Sequence, residues 1–397
     1  MRTHHLCAAA LLLAAAASLP AHAADAEIYG LIDTGFKLSR SSGEDSAFAM
    51  QSGQINGSRV GLRISEQISS DLRIYANLEN GFDADTGELG SDGVLFNRNS
   101  VLGVKTAWGS LAFGRTGALA SGTASGIFAG KVSPFGITWQ EAQDTQILSG
   151  SVAGRVDNSI TYESPSLAGW RIHGQFSNGM AGDDSVKSSS KNRYGALGVS
   201  FRRGGVSAVV VVDRVFTRSD FAPGEYSGAD YGTYNIGGSY DFGAVKLFAA
   251  YQRGDGVTRV GKLVSSVKGA YSAVSEKNRT GYDTDAVVLG ADIDVAGGDL
   301  KIAAGYAKGD RSYRQWRSAG SLRYTNDQEV EGWQFALGYL YPFSRRTHVY
   351  AAAACVHSDD SNKQTNWSTA GVKGETTQEG AGSAHTRSVL VGIRHRF

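Results

Sequence analysis

Asp71-Leu72-Arg73-Ile74-Tyr75-Ala76-Asn77-Leu78-Glu79-Asn80-Gly81-Phe82 decides how the rest of the chain is read. Leu72, Ile74, Ala76 and Leu78 alternate with Arg73, Tyr75, Asn77 and Glu79. A period of two places all four apolar residues on one side of a strand and the polar ones on the other, whereas a helix would scatter both sets around its axis. A strand of about ten residues is long enough, when tilted, to cross the hydrocarbon layer of a membrane.

The same pattern recurs along the chain. In 169–178, Trp170, Ile172 and Phe176 oppose Arg171, His173 and Gln175; in 244–254, Val245, Leu247, Ala249 and Tyr251 oppose Lys246 and Gln252. About sixteen such segments can be marked from residue 27 to the C-terminus, the last four at 299–309, 331–342, 345–358 and 386–397. Their connections alternate in length. Tight links fall at Ser69-Ser70, Trp108-Gly109, Gly204, Gly243, Gly297-Gly298 and Ser344, and between them come long Gly-, Ser- and Asp-rich stretches at 39–56, 179–192, 255–282, 310–330 and 359–385. A secreted sandwich has no reason to gather its long loops at one end. A closed barrel in an outer membrane does, with short turns on one side and long loops on the other. Tyr29, Trp108, Trp170, Phe201, Phe242, Tyr341 and Phe343 lie near the tight links, where amphipathic rings suit a membrane interface.

Arg2, His4 and His5 precede the apolar stretch 6–19, and Ala21-His22-Ala23 follows with small residues at the two positions a signal peptidase reads. Residues 1–23 are therefore expected to be a signal peptide, with the barrel domain spanning 24–397. About 14 apolar residues fall short of the roughly 20 a spanning helix needs. Without residues 1–23, which hold one Arg and no acid, 38 basic residues face 38 acidic ones. That balance gives no support to nucleic-acid binding. Cys355 is the one cysteine outside the signal, so no intramolecular disulfide can form.

The chain closes with Arg387-Ser388-Val389-Leu390-Val391-Gly392-Ile393-Arg394-His395-Arg396-Phe397, with Val389, Val391, Ile393 and Phe397 on one face. Together with Ile28-Tyr29-Gly30-Leu31-Ile32-Asp33, Gly57-Ser58-Arg59-Val60-Gly61-Leu62-Arg63, Leu95-Phe96-Asn97-Arg98, Phe113-Gly114-Arg115 and Asp157-Asn158-Ser159-Ile160, it resembles the trimeric general porins of beta-proteobacteria and neisseriae. The resemblance is weakest between 205 and 385. It implies an all-β fold, a 16-stranded antiparallel transmembrane β-barrel with an inward-folded third loop, in the outer membrane of a Gram-negative bacterium. It also implies a homotrimer embedded in outer-membrane lipid, passage of small hydrophilic solutes and ions, and recognition of the strand ending in Phe397 by the barrel assembly machinery.

The third loop would be 116–154, the longest connection without alternation, with seven Gly among Ser and Ala. The family's basic wall maps onto Arg59, Arg98 and Arg155, with Arg63 and Arg115 as neighbours. Arg59 and Arg63 share a face by spacing; strict alternation puts Arg98 with Leu102 and Val104, so its inward aim rests on the resemblance and requires a bulge or turn. From Thr116 to Gln140 the loop carries Lys131 and no acid, and its acids Glu141 and Asp144 come late. An excess of positive charge at the constriction, and hence anion preference, is expected.

Signs of catalysis are weak. The chain has no Gly-x-Ser-x-Gly elbow, and His173, His348, His357, His385 and His395 stand singly without His-Glu-x-x-His spacing. Gly256 to Lys262 has phosphate-loop spacing, but Leu263 replaces the magnesium-holding hydroxyl, so the match is read as chance. Asp292 and Asp294 share an inward face and suit a metal or acid/base pair less well than a polar lumen wall. No enzyme activity, cofactor or metal is expected. The alternatives are a barrel enzyme or an adhesin with a closed lumen, and a substrate-specific anion channel.

Overall fold

A computed structural model describes residues 24–91, 93–148, 150–152, 154–180, 191–217, 230–263, 281–316, 322–367 and 373–397. The strands are β1 (Asp25–Ser41), β2 (Ala47–Ser52), β3 (Arg59–Ser69), β4 (Leu72–Gly81), β5 (Asn99–Thr106), β6 (Gly109–Gly117), β7 (Arg155–Glu163), β8 (Trp170–Ser177) and β9 (Arg193–Arg203). They continue as β10 (Val206–Phe216), β11 (Tyr231–Asp241), β12 (Val245–Val257), β13 (Tyr282–Val295), β14 (Gly298–Trp316), β15 (Leu322–Pro342), β16 (Thr347–Trp367) and β17 (Lys373–Arg396). From β3 onward each strand pairs antiparallel with its successor, and β17 pairs back onto β1, with Leu31 opposite Arg396 and Ser41 opposite Thr386. The sheet closes on itself through the β1–β17 ladder, as a lipid environment demands of the backbone that crosses it.

Seventeen segments make sixteen staves. β2 pairs with Thr34–Ser39 of β1 and β3 with Asp25–Leu31, so the two share one place in the wall, interrupted at 53–58. The stretch 39–56, expected as one long loop, therefore contains a strand. The expected loops at 310–330 and 359–385 are corrected in the same way: the β14–β15 ladder runs to Trp316 opposite Leu322, and the β16–β17 ladder to Trp367 opposite Lys373. Hydrophobic alternation marks a strand only where one face meets lipid. Above the membrane both faces are polar, so the hydrogen-bonded ladder continues after its sequence signal has stopped.

Side-chain direction follows the alternation. Ile172, Leu197, Ile236, Leu289 and Leu337 stand exposed on the outside, while His173, Gln252 and Gln334 are buried on the inside. Rings cluster at the short-turn end: Trp170 with Phe201, Tyr240 with Phe242, and Tyr341 with Phe343, their centroids 4.7, 4.5 and 5.6 Å apart. The turn at Ala296-Gly297 has both residues at positive φ, the backbone twist that two-residue hairpins favour.

The connection between β6 and β7 folds into the barrel. Leu119, Phe128, Ala129 and Val132 pack against Tyr194, Val209, Val211 and Ala250 of one wall. Further along, Phe135, Trp139 and Ala142 pack against Ala303, Ala336, Tyr350, Ala352 and Leu390 of another. The inward alanines give the loop room, and its own apolar side chains find no other dry surface. Their burial holds the loop in place.

Candidate functional site: a basic wall facing the inward loop

The wall opposite the loop is built where four strand ends meet. Arg59 opens β3, Arg155 opens β7, Arg115 lies near the end of β6, and Arg98 occupies the bend before β5. That bend is the departure from alternation that Arg98 requires to point inward. Gly57 and Gly81 leave space for its side chain: a Cβ on either would come within 2.8 or 2.9 Å of an Arg98 atom.

One carboxylate joins two of the arginines. Glu79 Oε1 accepts a hydrogen bond from Arg98 Nε at 2.7 Å, and Glu79 Oε2 lies 3.4 Å from Arg59 Nε and accepts from the Tyr29 hydroxyl at 2.9 Å. Arg155 Nε donates to the Arg98 carbonyl, Arg115 Nη1 to Asp157, and Arg115 Nε to the Asn97 carbonyl at 3.0 Å. Four guanidinium groups thus stand with two carboxylates, leaving two positive charges in a lumen wall. Below them, toward the short turns, opens a space of about 1030 Å³ lined by Arg63, Glu79 and Asn77 on the wall, Thr116 at the end of β6 and Ser125 on the loop.

The remaining sequence-selected residues lie elsewhere. Arg63 reaches Glu27 at 3.3 Å and stacks over the Tyr29 ring at 3.8 Å, one step below the cluster. Lys131 is exposed on the underside of the loop, beside Arg171, Arg202 and Lys246 on the far wall, so it does not join the arginines. Glu141 is paired with Lys37 of β1 at 2.5 Å. Asp144 is 1% exposed and lies inside the loop, where its carboxylate accepts the Gly130 N–H at 2.6 Å. Asp292, considered as half of an acid pair, accepts from Lys301 Nζ at 2.7 Å. In the stretch with phosphate-loop spacing, the Lys262 N–H donates to the Gln146 carbonyl at 2.9 Å, making the segment a strap across the inward loop.

A closed barrel with an inward loop facing a row of arginines can be compared with known proteins. Residues 8–361 match the family model of Gram-negative porins. The chain belongs to the Gram-negative porin family. This porin is 29% identical to an outer membrane porin protein of Bordetella pertussis over 98% of both chains. Among solved structures, it resembles an anion-selective porin from Comamonas acidovorans with a TM-score of 0.60 and 22% identity, covering 94% of this chain and all of that one. It also resembles the trimer form of OmpT from Vibrio cholerae, with a TM-score of 0.55 and 16% identity over 95% of this chain and all of that one. It is an outer-membrane protein, and its short turns face the periplasm.

Two parts of the site escaped sequence reasoning. Arg394 and Arg396 lie on the inward face of β17, close enough to Arg59 for their charges to act on it, and extend the basic wall of the porin. Their signal was present, since they alternate with Ile393 and Phe397. What was missing was the closure that sets β17 beside β1. The second part is the anchor of the loop tip. Buried Asp33 accepts from the Tyr350 hydroxyl at 2.6 Å and from the Asn56 N–H at 2.9 Å, which shapes the interruption at 53–58. There the Gln54 carbonyl accepts the Trp139 N–H at 2.7 Å. Trp139 and Gln140 are both left-handed, at φ 71° and 52°, a strained pair that surrounding contacts hold in place. Gln334 Nε2 donates to the carbonyls of Glu141 and Gln143 at 2.5 and 2.9 Å.

Burial pushes the Asp144 carboxyl up to about 7, outweighing the Gly130 N–H and the charge of Lys262. Released into water, the same group would titrate near 3.8. Between those values the docked loop holds a proton that a released loop has lost, so docking is strongest at low pH and weakens as pH rises toward about 7. Single-channel current is therefore expected to become noisier from pH 5 to pH 8. Asp144→Asn, which keeps an acceptor for Gly130, should stay quiet across that range. Equal noise in both proteins at pH 8 would refute the assignment.

Proposed function

We propose that this porin is an anion-preferring passive channel whose selectivity resides in Arg59, Arg98, Arg115 and Arg155, aided by Arg394 and Arg396. Solutes cross down their gradients through the gap between the arginine wall and the inward loop, with no reaction and no cofactor. One observation carries the reading: the loop's own acids are withdrawn from the gap. Lys37 takes Glu141, and Asp144 is buried, so among the described residues Glu79 and Asp157 are the carboxylates paired with the four arginines. Lys131 acts below the gap rather than within it, and Arg63 lines the exit. The likeness to an anion-selective porin agrees with this reading.

Residues 1–23 act as the signal peptide, residues 24–397 form the barrel, and the mature protein works as a trimer. The trimer reading is supported by the outward row of small residues Ala351, Ala353 and Cys355 on β16, flanked by Phe335, Leu337 and Val389, and by the fold shared with a trimeric porin. The closing strand is the segment read by the assembly machinery; in the folded barrel the Phe397 N–H donates to the Gly30 carbonyl at 3.1 Å. Planar-bilayer recording in a potassium chloride gradient tests the function. Stepwise conductance with a zero-current potential of the sign set by chloride is the expected result. A cation-preferring potential would overturn the anion assignment, and a correctly folded protein without conductance would overturn the channel.

A further inference from the structure

A second basic site lies on the periplasmic side of the inward loop, sharing Glu163 and Arg171 with the space below the arginine wall. The underside of the loop and the strands β7 to β12 enclose a recess of about 400 Å³. Lys131 contributes from the loop, Arg171 and Arg202 from β8 and β9, and Lys246 from β12. Glu163 is the one carboxylate in its lining, and it is already engaged, 3.6 Å from Arg171 and 3.7 Å from His173. Asp292 stands opposite Lys246 across the β12–β13 ladder, but Lys301 holds it at 2.7 Å. Among the described residues, no carboxylate forms an ion pair with Lys131, Arg202 or Lys246.

The floor of the recess supplies neutral donors. Ser200, Ser207 and Ser239 line it, and Ser200 Oγ is 2.8 Å from Nε2 of buried His173. Three cations without a carboxylate partner, lining one concave space with serine hydroxyls, suit a compact oxyanion with more than one charge, since each N⁺–H···O⁻ contact is stronger than a neutral one. A lone chloride would satisfy only part of this donor set. The volume falls within the range of small-molecule sites.

We propose that this recess is a subsite for multivalent oxyanions, of the phosphate or polyphosphate class, on the exit side of the channel. The proposal rests on the channel reading for its role in transport but not for the binding itself. Calorimetric titration of magnesium-free pyrophosphate into detergent-folded protein tests it. Wild-type protein should bind saturably, and Arg202→Gln/Lys246→Gln should bind at least about tenfold more weakly, because two charge-assisted contacts are lost. Heat-modifiable gel mobility establishes that the variant is folded, and Arg202→Lys/Lys246→Arg should retain binding. Absence of saturable binding to the folded wild type, or equal affinity in the glutamine variant, would overturn the subsite. Bilayer conductance in chloride, measured on the same preparation, decides the channel reading separately.

Discussion

Arg59→Gln/Arg155→Gln is expected to move the zero-current potential in a potassium chloride gradient well toward zero, leaving a smaller chloride preference to Arg394 and Arg396. The local count explains the size of the effect. Arg59, Arg98, Arg115 and Arg155 share a wall with Glu79 and Asp157, so removal of two guanidinium charges leaves the cluster neutral. A unit charge about 5 Å from a permeating ion contributes roughly 0.8 kcal/mol at the dielectric constant of water, about fourfold in local anion concentration. Two such charges set a several-fold ratio of chloride to potassium, which salt above about 0.1 M should reduce by screening. Arg59→Gln also leaves Glu79 with Arg98 alone, and Arg155→Gln removes the donor to the Arg98 carbonyl. Both changes push selectivity the same way. A matching Arg63→Gln change should have the smaller effect, because Arg63 lies one step below and is paired with Glu27. If the double variant kept the wild-type potential, the charge that sets selectivity would have to lie elsewhere.

Trp139→Ala is expected to release the tip of the inward loop, giving larger and noisier single-channel steps from a barrel that still closes. Trp139 is 5% exposed and packs edge-on against Phe135 and Tyr350, with ring centroids 5.4 and 5.7 Å apart. Truncating a buried aromatic of this kind costs about 3–5 kcal/mol. Here the loss falls on loop docking, because the loop can leave the wall without breaking a strand ladder. The left-handed backbone at Trp139 and Gln140 adds to the effect, since contacts that hold a strained pair are weakened together. Heat-modifiable mobility should persist in the variant. Trp108→Ala, at a position 85% exposed on the short-turn rim, should leave conductance steps unchanged. Wild-type steps from Trp139→Ala would show that the loop is held by something other than its aromatic tip.

The alternation of Leu72, Ile74, Ala76 and Leu78 with Arg73, Tyr75, Asn77 and Glu79 determined by itself that this chain crosses a membrane as strands, because lipid on one face and water on the other impose a period of two. The unequal connections and the apolar face of the last strand likewise determined a closed barrel with one end of short turns, and the acid-free stretch 116–140 marked the unusual loop. Where lipid contact ended, legibility ended with it: the ladders of β14–β15 and β16–β17 beyond the membrane are held by backbone hydrogen bonds that carry no hydrophobic pattern, while β2, with Phe48 and Met50 outward, is too short a run to stand out within its connection. Only the tertiary structure decided which charges meet. Glu141 found Lys37, 104 residues away; Asp144 disappeared under its own loop; Arg394 arrived beside Arg59 through closure of the barrel; and Lys131 joined a different wall. A strand's sequence specifies the face on which a charge stands, since that follows from local backbone geometry. Its partner across the lumen depends on register, closure and the path of an inward loop, and those are set by packing among residues far apart in the chain.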